Sequence, residues 1–199
     1  AYIVSVDIDP NELKKPTLDI DLPICADAKD FIAEFARQIA DHDFPDVAEW
    51  KKWCKNELLK FPAYAQKVTP KVGVDPYLFS RKLSECFDEN EIIVSSNGAS
   101  CVIPIQVMEM KQNQRHIVNS GCASMGYGLP AAIGASFAYG QRRVICLEGD
   151  GSLQMNIQEF ETLAYHQLPV KVFIFNNDGY LSIRTTQENY FNGHYVGEG

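Results

Sequence analysis

No stretch of this 199-residue chain approaches eighteen consecutive apolar residues, which excludes a membrane-spanning helix. Basic residues are in the minority. Eighteen Lys and Arg against 26 Asp and Glu leave a net charge of −8, the wrong sign for a nucleic-acid partner. The six cysteines, at 25, 54, 86, 101, 122 and 146, form no CxxC pair. They read as reduced, buried thiols of a cytoplasmic protein, Cys86 and Cys146 in apolar contexts and Cys122 packed among small residues. The four histidines are scattered without ligand spacing. His166 closes an amphipathic helix, where a cation suits the dipole, and His194 falls in a solvated loop. There is no Gly-Lys-Ser/Thr phosphate loop, no internal repeat and no low-complexity tract. An initiating Met is also missing. Ala1-Tyr2-Ile3-Val4 reads as a strand entered mid-protein, not as a signal peptide. Val196-Gly197-Glu198-Gly199 ends no element, so a fragment of a longer polypeptide is expected.

What is present supports a packed core, with 46% apolar residues and room for one large α/β domain or somewhat more. Residues 1–42 read as strand, turn and helix. Asp27 caps the helix, and Phe31, Ile32, Phe35 and Ile39 form its inner face. Residues 43–72, with Trp50, Trp53 and Lys51-Lys52 ahead of Pro62 and Pro70, read as a connecting helix and linker with a wet basic face. From 73 to 199 the pattern becomes regular. Asp75-Pro76 is a cap followed by proline at the first helical position. Leu78, Leu83, Cys86 and Phe87 make a buried stripe. Glu91 to Ser96 is a strand, and Asn97-Gly98-Ala99-Ser100 lies at its carboxyl end, facing any ligand there. Leu129 to Tyr139 is a small-residue helix that Gly140 ends.

Two further apolar runs, Arg143–Leu147 and Val170–Phe175, are rich in β-branched and aromatic residues, as buried parallel strands are. Between them Ile157, Phe160, Leu163 and Ala164 fall on one helical face, with Asn156 and Glu159 spaced as a capping box and Leu168-Pro169 closing the helix. Strand, helix and strand make a βαβ unit. Its parallel strands deliver Gly149-Asp150-Gly151-Ser152 and Asn176-Asn177 to the same sheet edge, where open α/β sheets bind ligands. A carboxylate and a carboxamide there suit Mg²⁺, which takes oxygen ligands in octahedral geometry and shares them with phosphates. Gly179 adds a backbone carbonyl. Gly149 and Gly151 permit positive φ and close approach. Ser152 and the amides after it face a phosphate.

A rival reading starts from Gly126-Tyr127-Gly128-Leu129-Pro130-Ala131, which matches GxGxxA of dinucleotide-binding folds, with Glu148 or Asp150 about twenty residues on. Its strand, His116–Asn119, is short and does not run into the glycines. Pro130 sits where helix amides should face a pyrophosphate, and Asn176-Asn177 has no part in it.

Glu148-Gly149-Asp150-Gly151-Ser152, with Phe175-Asn176-Asn177-Asp178-Gly179-Tyr180 downstream, resembles the thiamine diphosphate (ThDP) motif of the acetolactate synthase/pyruvate decarboxylase group. Ser120 to Ala135 resembles that group's second cofactor segment. Val6-Asp7-Ile8-Asp9-Pro10 with Ala26 to Lys29 resembles the end of its central domain. The implied fold is α/β, an open parallel sheet with helices on both faces, preceded by the tail of a Rossmann-like domain. Asp150, Asn177 and the Gly179 carbonyl would bind Mg²⁺. Ala123, Ser124, Met125, Gly149, Gly151, Ser152 and Tyr180 would bind ThDP. Within that set Met125 is the apolar wedge that bends the cofactor, and the Ala123 carbonyl accepts from its aminopyrimidine. The group usually has glycine at the Ala123 position, a departure that matters only if φ there is positive.

The resemblance implies decarboxylation or carboligation of a 2-oxo acid by a homodimer or homotetramer. Its activating glutamate would lie in another domain, so this chain alone would be inactive. Nothing in these residues speaks for or against FAD. A decarboxylase without ligation, or a silent ThDP-binding subunit, is the alternative. Two positions that shape the acceptor pocket in acetolactate synthases hold Ser182 and Thr186 here, while Gln187 matches and Tyr190-Phe191 keeps an aromatic pair. Arg184 is a candidate partner for a substrate carboxylate.

Overall fold

The computed structural model describes residues 2–62 and 73–197, and the chain divides into two compact units, Ala1–Lys60 and Phe61–Gly199. In the first, β1 (Val4–Asp7) pairs parallel with β2 (Leu22–Cys25), Val4 opposite Leu22 and Asp7 opposite Cys25. Two strands therefore stand where the sequence pattern indicated one. A 3₁₀ turn at Glu12–Lys14 lies between them. Asp27 caps α1 (Ala28–Gln38), its carboxylate accepting from Lys29 N at 2.7 Å. The expected inner face of α1 is only half realised. Phe31 and Ile39 are half-buried, but Ile32 is 64% and Phe35 53% exposed. Helix α2 (Ala48–Lys60) carries Trp50 stacked on Trp53, ring centroids 4.9 Å apart. The linker expected after it lies largely outside the described residues.

The second unit is a four-stranded, all-parallel sheet in the order β4-β3-β5-β6, built from β3 (Ile92–Ser95), β4 (Arg115–Val118), β5 (Val144–Gly149) and β6 (Val170–Phe175). Alternate side chains of a strand point to opposite faces, and each face has its own core. Ile92, Val94, Val144 and Cys146 pack with Ala132 and Ala135 of α5 (Gly128–Ala138). Ile93, Ile145 and Leu147 pack with Phe87 and Leu83 on the other face. That two-sided burial is why β3 and β5 are near-continuous apolar runs.

Helix α3 (Pro76–Glu85) starts as its cap pattern indicates, Asp75 accepting from Tyr77 N at 2.8 Å and Leu78 N at 3.0 Å. Its buried face differs from the expected stripe. Ser80 and Ser84 are fully buried, each hydroxyl donating at 2.7 Å to a carbonyl of its own helix, while Leu78 and Cys86 are exposed. Helix α3 packs against α4 (Ala99–Val107), and small serines whose hydroxyls are satisfied within their own helix can be buried there without showing in a hydrophobicity stripe. Helix α5 ends at Gly140, whose φ of 71° suits a glycine after a helix, with Gln141 N donating to Ser136 O at 2.7 Å.

The connection from β5 to β6 is more broken than the periodicity indicated. A one-turn helix, α6 (Asp150–Leu153), is followed by a 3₁₀ turn at Gln154–Asn156 and then α7 (Glu159–Tyr165). The capping box does not form. Asn156 donates its side-chain amide to Gly126 O at 2.7 Å, tying the crossover to the glycine segment. Ile157 and Phe160 are largely exposed, and Leu163 packs on Leu129, Ile133 and Leu168. Helix α8 (Leu181–Tyr190) follows β6. Among the described residues no helix is long and apolar enough to cross a membrane.

Candidate functional site

The carboxyl ends of β3, β5 and β6 open into one cavity of about 260 Å³. Every residue assigned from the sequence to a cofactor or metal lines it except Ser124, which is exposed: Ala123, Met125, Gly149, Asp150, Gly151, Ser152, Asn177, Gly179 and Tyr180 are all there. Asn97, Gly98, Ala99 and Ser100 join them from the start of α4, and Ser182 from α8. A second, apolar cavity of about 440 Å³ shares Ala99, Phe175, Asn177 and Leu181 with the first. The polar chemistry lies in the smaller one.

Two oxygens define that chemistry. Asp150 Oδ2 accepts from Gly179 N at 2.8 Å, which draws the β6–α8 loop against the start of α6. Asp150 Oδ1 is buried without a hydrogen-bond partner, and so is Asn177 Oδ1. Buried polar atoms are paired almost without exception, so two orphaned oxygens lining one cavity are candidates to hold a ligand. Among the described residues the only other such atom is Arg81 Nε, and that guanidinium is ion-paired with Glu109 and Glu85. The described residues gather no group of three His, Cys, Asp or Glu. One carboxylate, one carboxamide and a loop carbonyl do not suit a thiolate or imidazole metal. They fit a hard cation that completes its shell with phosphate and water.

The glycines and Ser152 work differently from the sequence expectation. Neither Gly149 nor Gly151 lies at positive φ. Gly151 is needed for space, because a Cβ there would stand 2.6 Å from two ring carbons of Tyr180. Gly149 sits in ordinary strand backbone, φ −90° and ψ 147°, and a Cβ there would meet nothing nearer than Ser152 Cβ at 3.9 Å. Ser152 is buried and spent within the fold. Its hydroxyl accepts from Gly126 N at 2.8 Å and shares a 3.0 Å bond with Ser96.

Ala123 stands at φ 50°, so its departure from glycine carries a backbone cost. The turn is held by Ala123 N to Asn119 O at 2.8 Å and by Asn97, whose amide donates to Ala123 O at 3.0 Å. Met125 is 40% exposed and lines the cavity. Arg184 does not point at a substrate carboxylate. Its guanidinium donates to the carbonyls of Asn177, at 2.7 Å, and Asp178. Thr186 is absent from the cavity wall and donates to Ser182 O at 3.0 Å.

The dinucleotide reading fails on Glu148. This fully buried carboxylate accepts from Leu129 N at 3.1 Å and Gly149 N at 3.2 Å. It is packed so tightly on Gly128 that a Cβ there would collide with it and stand 2.8 Å from Ser96 Cβ. The helix start that a pyrophosphate would use is filled from inside the fold. Ser96, Glu148 and Asn156 are the supporting residues that motif reading missed or misassigned, because their partners lie 19 to 56 residues away.

The thiols also divide differently from the expectation. All six are free, but only Cys101 and Cys146 are buried, and Cys25, Cys86 and Cys122 are exposed. Burial, then the nearby Glu148 charge, pushes the Cys146 thiol far above its ordinary range, which leaves it inert. Cys122 does not line the cavity, and His194 is exposed.

Comparison with known proteins places the chain in context. Residues 96–199 match the family model described as thiamine pyrophosphate enzyme, C-terminal TPP binding domain. The acetolactate synthase isozyme 1 large subunit of Escherichia coli is 34% identical over 89% of this chain and 31% of its own length. The isozyme 3 large subunit is 27% identical over 98% of the chain and 34% of its own length. The acetolactate synthase large subunit of Pyropia yezoensis is 31% identical over 98% and 33%. The chain thus spans about a third of the length of the curated relatives it matches. In structure it is similar to the thiamine diphosphate-dependent 4-hydroxybenzoylformate decarboxylase of Rhodococcus jostii RHA1. That match has a TM-score of 0.72 and 22% identity, over 100% of this chain and 35% of the other.

Proposed function

The chain belongs to the thiamine pyrophosphate enzymes, in the group of acetolactate synthases and related decarboxylases, and from that premise we propose that it supplies the diphosphate and Mg²⁺ anchor for decarboxylation and carboligation of a 2-oxo acid. The observation that carries this reading is the pair of buried, unpartnered oxygens, Asp150 Oδ1 and Asn177 Oδ1, on one cavity wall. Asp150 and Asn177 would hold the metal, together with the Gly179 carbonyl. Thiamine diphosphate, when bound, supplies the electron sink that lets a 2-oxo acid lose CO₂.

The chain's own residues position and shield. Met125 and the Ala123 turn line the same cavity as the metal loop, and would fix the orientation of a bound cofactor. Tyr180, whose ring lies against Gly151, would stand beside the diphosphate. Ser182 stands on the cavity wall at a position where acetolactate synthases carry a large apolar side chain. Loss of such an apolar contact weakens discrimination between acceptor oxo acids, since contacts of that kind carry only about 1–3 kcal/mol. The chain alone does not turn over substrate. The intact protein works as a homodimer or homotetramer, a reading supported by the resemblance to acetolactate synthases.

The test is to incubate the intact protein with ThDP, Mg²⁺ and pyruvate, and to follow CO₂ and products together. Acetolactate supports ligation, and acetaldehyde supports decarboxylation without it. ThDP bound with no CO₂ released, from pyruvate or from an aryl 2-oxo acid, contradicts both and favours a silent subunit.

A further inference from the structure

The loop between β6 and α8 holds two left-handed residues in succession, Asp178 at φ 62° and Gly179 at φ 103°. Backbone in that region persists only where its surroundings over-determine it. Three ties do so here. Asn176 accepts from Asp178 N at 3.2 Å, and Asp150 accepts from Gly179 N at 2.8 Å. The third comes from one turn into α8. Arg184 reaches back to donate to the Asn177 carbonyl at 2.7 Å and to the Asp178 carbonyl.

A guanidinium presents five donors in a fixed planar fork, so one side chain can hold two carbonyls at once. These two carbonyls follow the Asn177 Cα directly, in the stretch of main chain between the Asn177 side chain and Gly179. The loop is thereby fixed from its backbone side, while Asn177 Oδ1 and Asp150 Oδ1 stay free for a ligand. Mg²⁺ demands near-ideal octahedral geometry at short distance, and Ca²⁺ tolerates irregular, longer coordination. A pre-set loop therefore matters more to Mg²⁺.

We propose that Arg184 is a positioning residue of the metal site, clamping the Asn177–Gly179 loop so that it selects a small octahedral cation. This rests on the Mg²⁺ reading above. The experiment titrates the intact protein, saturated with ThDP, calorimetrically with Mg²⁺ and separately with Ca²⁺. R184M should raise the Mg²⁺ dissociation constant about tenfold or more, the scale of losing hydrogen bonds from a charged group, and that for Ca²⁺ by less than about threefold. R184K, which keeps the charge and reaches one carbonyl, should fall between. A general loss of stability would weaken both cations alike.

An unchanged Mg²⁺/Ca²⁺ ratio in R184M, or tighter Mg²⁺ once the positive charge is gone, overturns the clamp. If R184M gives no cooperative melting transition, R184K carries the test, and an unchanged ratio there overturns it equally. Absence of Mg²⁺ binding in the unsubstituted protein would overturn the metal reading and the clamp together. That result is separable because it precedes any substitution.

Discussion

Gly149→Ala separates what the fold requires from what a ligand requires. Gly149 ends β5 in extended backbone at φ −90° and ψ 147°, which alanine adopts freely. The added Cβ would meet only Ser152 Cβ, at 3.9 Å, an ordinary contact. On these grounds the substitution should raise stability by about 0.4–1 kcal/mol, by narrowing the unfolded ensemble. Yet Gly149 lines the cavity beside Asp150 and Gly151. The new methyl takes volume that a diphosphate would occupy, and overpacking of that size costs about 1–3 kcal/mol. ThDP affinity should therefore fall by a factor of roughly 5 to 150. Urea denaturation of the intact protein without cofactor reads the first effect, and calorimetric titration with ThDP in Mg²⁺ reads the second. A loss of more than about 1 kcal/mol in the cofactor-free protein would show that the fold itself needs this glycine. Unchanged affinity would show that no ligand approaches it.

Gly128→Ala should behave in the opposite way. Its Cβ would crowd Ser96 and displace the Glu148 carboxylate from Leu129 N. A helix-propensity gain of about 1 kcal/mol is outweighed by overpacking and by a lost charge-assisted bond, for a net loss of about 2–4 kcal/mol; an unmoved urea midpoint would contradict this. Stability should also fall at low pH through His116, which burial holds below its ordinary value of 6.5 and whose ring nitrogen lies 2.7 Å from Ser95 Oγ. The unfolded chain protonates first, so stability drops as pH falls through about 6.5 and levels off only below the folded value. The difference in urea midpoint between pH 7.5 and pH 5.5 should shrink in H116Q, and an unchanged difference would remove His116 as its source.

The local signals were the legible ones. Asp27 and Asp75 cap helices because an Asx side chain and the amides two and three residues on are covalently close. Gly140 ends α5 for the same kind of reason. Strand β5 announces itself because burial on both faces leaves Val144 to Leu147 apolar, and β6 because it is rich in β-branched and aromatic residues, although Lys171 and Ile174 are exposed. The family resemblance led to the residues around the cavity, which periodicity alone would not have gathered. What stayed hidden depends on partners distant in sequence. Asn156 fits a capping box on spacing, but Gly126 O, thirty residues away, takes its amide. The charge of Arg184 pointed toward an anion, and the backbone of its own loop claimed it. The buried face of α3 escaped a hydrophobic stripe because serines that bond their own helix pack as closely as alanines. Ile32 and Phe35 show the converse, apolar periodicity on a face that the described residues leave largely uncovered.

The central claim is that Asp150 and Asn177 hold a hard cation that in turn holds ThDP. The direct measurement is ThDP affinity of the intact protein in Mg²⁺, in EDTA and, with Mg²⁺, for N177A, each beside a cofactor-free melting curve. Asn177 Oδ1 has no partner within the fold, so N177A should leave cofactor-free stability within about 1 kcal/mol of the original. Chelation and the substitution should each weaken ThDP binding by about tenfold or more. Equal ThDP affinity with and without Mg²⁺, or an N177A protein that binds the cofactor as before, would contradict the account.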